Sequence, residues 1–511
     1  MSPFVRIWLT VLALAPSTAA QAAWQEARSN HFIIYADMSP SDLQKYAERL
    51  ERFDQAVRYV RGMQDPKLTD ANRLNIYVLR TERSVANLAG SQSVAGFYRA
   101  RASGSSVFVP RKSPGLAYWD LSAEAIFFHE YAHHLQLQFA SAAIPPWMSE
   151  GFAEFFATAT VDDDGNVTLG RPPQYRAWTL FSDELRIEQM LGATSRKFNG
   201  VQIAELYGKG WLLIHYLNFN PARKGQIGHY IDAIQKGSSP LDAAKSAFGD
   251  LRALDRELEH YRNGKIRAYV VEAKQISTGP VAIRPLDQGE AAIMDVHIRS
   301  TRGVTKKSAP EVAADARKAA SRFPGNPFVQ AALAEAEFDA ENYGAAEAAA
   351  DRALASDPAN VHALIYKGRA QMELAKGSNS SPDWKAIRSW FGRANKLDAD
   401  NAEPLMLFYQ SYVKQAIKPT QNSINGLLYA TALAPRDDEL RLMAVRQLLL
   451  DDRMADAKSM FAPLAYQPHG ADEWREVNSQ IMDAISAGNR QDAMAKMDQA
   501  EKLAAEEAQK P

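Results

Sequence analysis

The apolar and polar positions of the chain fall into three regimes. In the first, short apolar runs are separated by one stretch of helical period. HFIIYA at 31–36 and LNIYVL at 74–79 read as strands. Between them Leu43, Tyr46, Leu50, Phe53 and Val57 recur at helical spacing and predict an amphipathic helix over 42–60. Gly96-Phe97-Tyr98 and the SVFV run at 106–109 predict a hairpin. In the second regime apolar residues surround the helices. One helix is expected over 121–139 with Ser122 as N-cap, another restarts at Trp147 after Pro145-Pro146, and a third covers 203–217. The third regime begins near 309 and is alanine-rich and helical throughout.

Within that third regime Leu333, Ala334, Tyr343, Ala346, Ala353 and Pro358 resemble the tetratricopeptide pattern. Gly368 and Ala394 mark a second copy with a polar insertion at 377–382. Weaker copies surround Ala430 with Pro435 and Ala457 with Pro468. Such repeats stack helix pairs, with small residues where helices approach. Residues 276–308 hold Gly279-Pro280, Pro285, Gly289 and Gly303 and read as a linker with one packed strand at 292–298. The expected architecture is α+β. A small α/β unit (23–120) and a helical part (121–275) form one domain, the linker follows, and an all-α tetratricopeptide-like solenoid fills 309–511.

Composition changes the picture in two places. Residues 1–22 read as a signal peptide, with Arg6, a short apolar core and Ala20-Gln21-Ala22 as cleavage site. The expected location is therefore periplasmic or secreted, with no transmembrane segment in the mature chain. Cysteine is absent, so a metal can be held only by His and carboxylate. With 59 Lys+Arg against 60 Asp+Glu, nothing favours nucleic acid.

Candidate chemistry is concentrated in His129-Glu130-Tyr131-Ala132-His133, which fits H-E-x-x-H. Positions i and i+4 share a helix face, so both imidazoles can converge on one cation. Glu130 can act as general base toward water at an open coordination position. Ile126, Phe127 and Phe128 make the helix apolar, and polar groups buried there need partners that a metal supplies. A third ligand is offered by Glu150 in WMSEGFAEFF at 147–156, with Glu154 one turn later able to accept from a ligating His. His134 points about 100° away from the motif face and is left out of the set.

HEYAH followed by WMSEGFAEFF resembles the gluzincin zinc peptidases, and within them the bacterial peptidase MA-like proteins. The resemblance implies Zn2+ held by His129, His133 and Glu150. Tyr207-Gly208-Lys209-Gly210 is similar to the Tyr-x-Lys-Gly segment of aminopeptidase N-like enzymes, which implies that Tyr207 stabilises the oxyanion. That branch's Gly-x-Met-Glu-Asn strand has no counterpart here. The SVFV strand stands in its place, and as an edge strand it could pair with extended substrate.

The expected function is thus an exported zinc metallopeptidase, an endopeptidase rather than an aminopeptidase, acting on a peptide or protein, with a protein partner on the solenoid. The alternative is a tetratricopeptide scaffold whose peptidase-like domain has little or no activity.

Overall fold

The computed structural model describes residues 24–91, 94, 96–111, 122–139, 144–193, 198–376, 382–465 and 472–507. The signal peptide expected over 1–22 lies outside them, as do most of the 377–382 insertion and Pro468. No described helix is long and apolar enough to cross a membrane.

The strands are β1 (Gln25–Arg28), β2 (Phe32–Ala36), β3 (Leu74–Leu79), β4 (Phe97–Arg99), β5 (Ser106–Pro110), β6 (Thr160–Val161), β7 (Val167–Leu169), β8 (Tyr269–Val271) and β9 (Ala282–Pro285). Six of them form one sheet in the order β4-β5-β3-β2-β1-β9, and β6-β7-β8 form a small second sheet. Strands β2, β3 and β5 run parallel, while β1, β4 and β9 pair antiparallel.

The first half contributes the helices α1 (Pro40–Arg61), α2 (Glu82–Ala89), α3 (Ala123–Phe139), α4 (Pro146–Ala157), α5 (Ile187–Leu191), α6 (Gly200–Phe219), α7 (Gln226–Gln235), α8 (Pro240–Phe248) and α9 (Leu251–Arg262). Helix α1 is the crossover that two parallel strands require. It starts where Ser39 accepts from Asp42 N and ends at Gly62 in the left-handed region.

Alternation along the strands sends side chains to two cores. Phe32, Ile34, Ile76, Val78, Val107 and Val109 face α1 and α3, and this core runs on without a break through α4, α6 and α9. The α/β unit and the helical part are therefore one packed body. Ile33, Tyr35, Tyr77 and Phe108 face the other way.

What covers that second face corrects the reading of 276–308 as a linker. Strand β9 lies at 282–285, paired with β1, and the apolar stretch at 292–298 belongs to a helix, α10 (Gln288–Arg302). Asp287 accepts from Glu290 N at 2.8 Å and Glu290 accepts from Asp287 N at 2.8 Å, a capping box that starts the helix. Met294 and Ile298 pack under the sheet, whereas Ile293 and Val296 join the next core along the chain. Helix α10 is thus a joint shared by both halves.

The remaining helices are α11 (Ala309–Arg322), α12 (Pro327–Asp339), α13 (Tyr343–Ser356), α14 (Val361–Lys376), α15 (Trp384–Leu397), α16 (Ala402–Lys414), α17 (Gln421–Leu433), α18 (Asp438–Leu450), α19 (Met454–Ala465), α20 (Asp472–Ser486) and α21 (Arg490–Glu507). Each packs on the next, and α10, α12, α14 and α16 also touch in series. This is a helical solenoid that begins at α10, about a helix earlier than its alanine content predicts. Its core is built from small residues such as Ala313, Ala334, Ala349 and Ala350, all fully buried. A Cβ on Gly368 would stand 2.6 Å from the Phe391 ring, so the helix pair there needs the smallest residue.

The solenoid folds back on the sheet. Asp437 accepts from the Ala102 amide at 2.6 Å, Asn72 Nδ2 donates to the Asp400 carbonyl at 2.9 Å, and the Arg436 guanidinium lies 4.3 Å above the Tyr98 ring. The Asp437 and Arg436 contacts grip the β4–β5 hairpin, and the Asn72 contact holds the turn before β3. The hairpin also corrects the expected edge: β5, holding SVFV, is flanked by β3 and β4, and β4 is the edge strand. The short Phe97–Arg99 run pairs Tyr98 with Val107 and so covers it.

Candidate metal centre

Helix α3 carries His129 and His133 one turn apart, and α4 brings Glu150 across from them. The close approach of α4 to α6 sets that position. A Cβ on Gly151 would stand 2.4 Å from the Gly210 backbone, and one on Gly210 would stand 2.6 Å from the Trp147 carbonyl. Only two facing glycines let these helices cross so tightly. The crossing holds Glu150 from one helix and Tyr207 from the other beside α3.

His129 Nε2 lies 3.2 Å from His133 Nε2 and 3.3 Å from Glu150 Oε2, and His133 Nε2 lies 3.5 Å from the same oxygen. Two ligands of a tetrahedral zinc with bonds of about 2.05 Å stand about 3.3 Å apart. The donor set, two imidazoles and one carboxylate, also suits zinc. Glu150 is fully buried and His133 nearly so, while His129 is 13% exposed. Burial disfavours a charged His129, yet the Glu150 hydrogen bond and the Glu154 and Glu150 charges outweigh it and push its pKa up to about 9. The Glu150 and Glu154 carboxylates thus put negative charge beside the converging imidazoles. His133 is pushed down, chiefly by burial.

Neighbouring side chains orient the candidate ligands. Ser149 Oγ donates to Gln136 Oε1 at 3.3 Å, which leaves its lone pair to accept from His133 Nδ1 at 3.2 Å. That chain places the proton on Nδ1 and turns the Nε2 lone pair toward the centre. Sequence reasoning singles out neither Ser149 nor Gln136, although both lie within three residues of a motif position.

Glu154 departs from its expected role. Its Oε1 is 3.8 Å from His129 Nδ1, beyond hydrogen-bond range. Tyr175 and Arg176 hold the carboxylate instead, at 2.6 Å and 3.1 Å. Both come from a 3-10 segment, Gln174–Phe181, whose sequence shows no helical period. Arg176 also stands 4.7 Å over the Tyr207 ring. That ring lies nearly parallel to the His129 ring at 5.9 Å. Burial and the nearby Glu150 charge raise the Tyr207 pKa, so its phenol keeps its proton and can donate. Lys209 turns away, with Nζ 2.7 Å from Glu205 and bonded to the Leu185 carbonyl. Glu130 is half-buried on α3, near enough for its charge to act on His129, Tyr207 and Tyr98.

Beneath α3 lies a buried ionic network. His31 Nδ1 is 2.8 Å from Glu51 and 3.3 Å from Asp54, and its Nε2 is 2.8 Å from Asp65. Asp54 also accepts from Arg58 at 2.8 Å and from the Tyr131 hydroxyl at 2.7 Å. His31, Asp54 and Asp65 are spaced like metal ligands. Arg58 already neutralises Asp54, so we read this group as the support that pins the motif helix through Tyr131. His134 meets the Tyr98 hydroxyl at 3.1 Å, and its pKa is pushed down to about 3, mainly by burial.

No family model and no curated protein matches the chain. Among solved structures it is similar to a thermophilic TPR protein of Thermus thermophilus, with 14% identity over 37% of this chain and 95% of that one, at a TM-score of 0.31. It is also similar to PilF of Pseudomonas aeruginosa, with 16% identity over 42% of this chain and 91% of that one, at a TM-score of 0.32. At these TM-scores neither likeness bears on what the chain does.

Proposed function

We propose that the chain is an exported zinc-dependent peptidase, with His129, His133 and Glu150 as the metal ligands. The observation that carries this reading is the convergence of three ligand atoms, 3.2, 3.3 and 3.5 Å apart, from two buried helices. Zinc bound there would polarise a scissile carbonyl and lower the pKa of water. Glu130 takes the water's proton and delivers it to the leaving amine. Tyr207, its proton retained, donates to the developing oxyanion, and Arg176 keeps its ring in place. Ser149 holds His133 in the tautomer that a ligand needs.

Glu130→Gln tests the reading. The variant should keep its zinc while peptide hydrolysis falls by about 10²–10⁴-fold. Unchanged turnover removes Glu130 from the mechanism.

A second reading has support of its own. The helical solenoid is extensive, and its contacts grip the β4–β5 hairpin beside the metal centre. A repeat scaffold that binds a protein and hydrolyses it poorly or not at all fits that arrangement. Stoichiometric zinc with no measurable hydrolysis favours it.

A further inference from the structure

The solenoid and the His133–Ser149 side of the candidate metal centre border one space. A cavity of about 2170 Å³ lies between the inner face of the solenoid and the strand-rich half of the chain. Its wall includes the ligand His133 and its partner Ser149. From there it runs past Tyr98, Arg99 and Ala100 of the β4 region to Phe338, Tyr366, Tyr409 and Trp474 on the solenoid.

Three features say what such a space would hold. Its volume is more than twice the roughly 1,000 Å³ of a large small-molecule pocket. Its wall contains an edge strand, β4, with no described strand on its outer side. An edge strand offers main-chain donors and acceptors to an extended chain, whatever its side chains. The solenoid wall then supplies aromatic rings beside charged groups, with Arg369 stacked 4.4 Å from Phe338 and 3.3 Å from Glu403. Rings with adjacent hydrogen-bonding groups give contact area without demanding one sequence.

We propose that this chamber is a substrate-binding site and that its occupant is an extended, unfolded polypeptide segment, held between β4 and the solenoid and reaching the wall that His133 and Ser149 form beside the metal centre. The solenoid is then a wall of the peptidase site and does not serve a separate partner. This inference rests on the peptidase reading above.

The absence of cysteine makes a clean test possible. Val413→Cys places one thiol on the chamber wall, at a position 53% exposed. Leu450→Cys places one at a position 58% exposed and outside the wall. Both are made in the full-length Glu130→Gln chain and reacted with a fluorescent maleimide, with and without unfolded β-casein. At ten times the Kd, casein should slow labelling at 413 by about tenfold and leave 450 unchanged. Folded lysozyme should protect neither. Equal labelling of 413 with and without casein, or equal protection of both thiols, overturns the chamber. Protection at 413 in a chain whose wild type never cleaves casein keeps the chamber and removes the peptidase. Cleavage without protection does the reverse.

Discussion

The helices around His129 and the helices after α10 both bury apolar faces, yet they are made of different material. Around the metal centre the core is large rings, with Trp147, Trp211, Tyr131, Phe127 and Phe156 almost inaccessible, and polar atoms sit among them. In the solenoid the core is rich in alanine, and its ion pairs range from exposed, as with Lys306 and Glu341 at 82% and 58%, to partly buried, as with Arg369 and Glu403 at 26% and 7%. Alanine packing costs little to place and repeats easily along a chain. Burying His133, Glu150 and Glu154 among rings is unfavourable unless each is paired or neutralised. The difference sets the proposed site of chemistry apart: there two imidazoles and a carboxylate converge inside an aromatic core, whereas small residues set the spacing of the solenoid helices.

The largest expected effect comes from closing the glycine crossing. Gly151→Ala drives a methyl group to 2.4 Å from the Gly210 backbone, which cannot yield as a flexible side chain can. We expect a loss of about 3 kcal/mol in denaturant unfolding, together with loss of bound zinc. Gly368→Ala in the solenoid meets a ring edge at 2.6 Å and should cost about 1 kcal/mol and no zinc. Equal costs would erase the contrast between the two regions.

Next is the network beneath the motif helix. His31→Gln leaves Glu51 buried without its cation, while Asp54 keeps Arg58, and should cost about 3 kcal/mol. Burial works against a charged His31, but Glu51 and Asp54 outweigh it and raise its pKa above the usual 6.5. The stabilisation is therefore fully present below about pH 6.5 and is lost as pH rises through the folded value. The gap in melting temperature between wild type and His31→Gln should be widest between about pH 4.5 and 6.5, where Glu51 is ionised and His31 charged, and narrow toward alkaline pH. A gap that widens as pH rises above about 6.5 would mean that His31 is neutral when folded.

Smaller still is Ser149→Ala. It removes the acceptor for His133 Nδ1 and should weaken zinc by about tenfold, read by competition with a chelator, while stability barely moves. Unchanged zinc affinity would show that the hydroxyl does not set the tautomer.

Sequence alone carries much of this, and its failures have physical causes. The convergence of His129, His133 and Glu150 is legible because side chains one turn apart on a helix share a face. Strand β3 and helix α6 are legible from their apolar runs. Strand β1 is not: QEAR carries almost no apolar signal, and its place depends on pairing Glu26 with Arg284, far along the chain. Helix α10 reads as a strand because a short apolar run fits either period. The signal that could find it is Asp287 three residues before Glu290. Tyr175 and Arg176 lie in a segment with no period, so only the fold brings them to Glu154 and Tyr207. Spacing singles out Glu154 but does not say which of its neighbours will bind it.

The most direct test of the account is the zinc content of the full-length protein after dialysis, read by elemental mass spectrometry and zinc K-edge absorption. The account predicts one zinc per chain, bound by two imidazoles and a carboxylate, that is lost in Glu150→Ala. A chain that emerges without zinc, or one whose zinc is indifferent to Glu150→Ala, contradicts it.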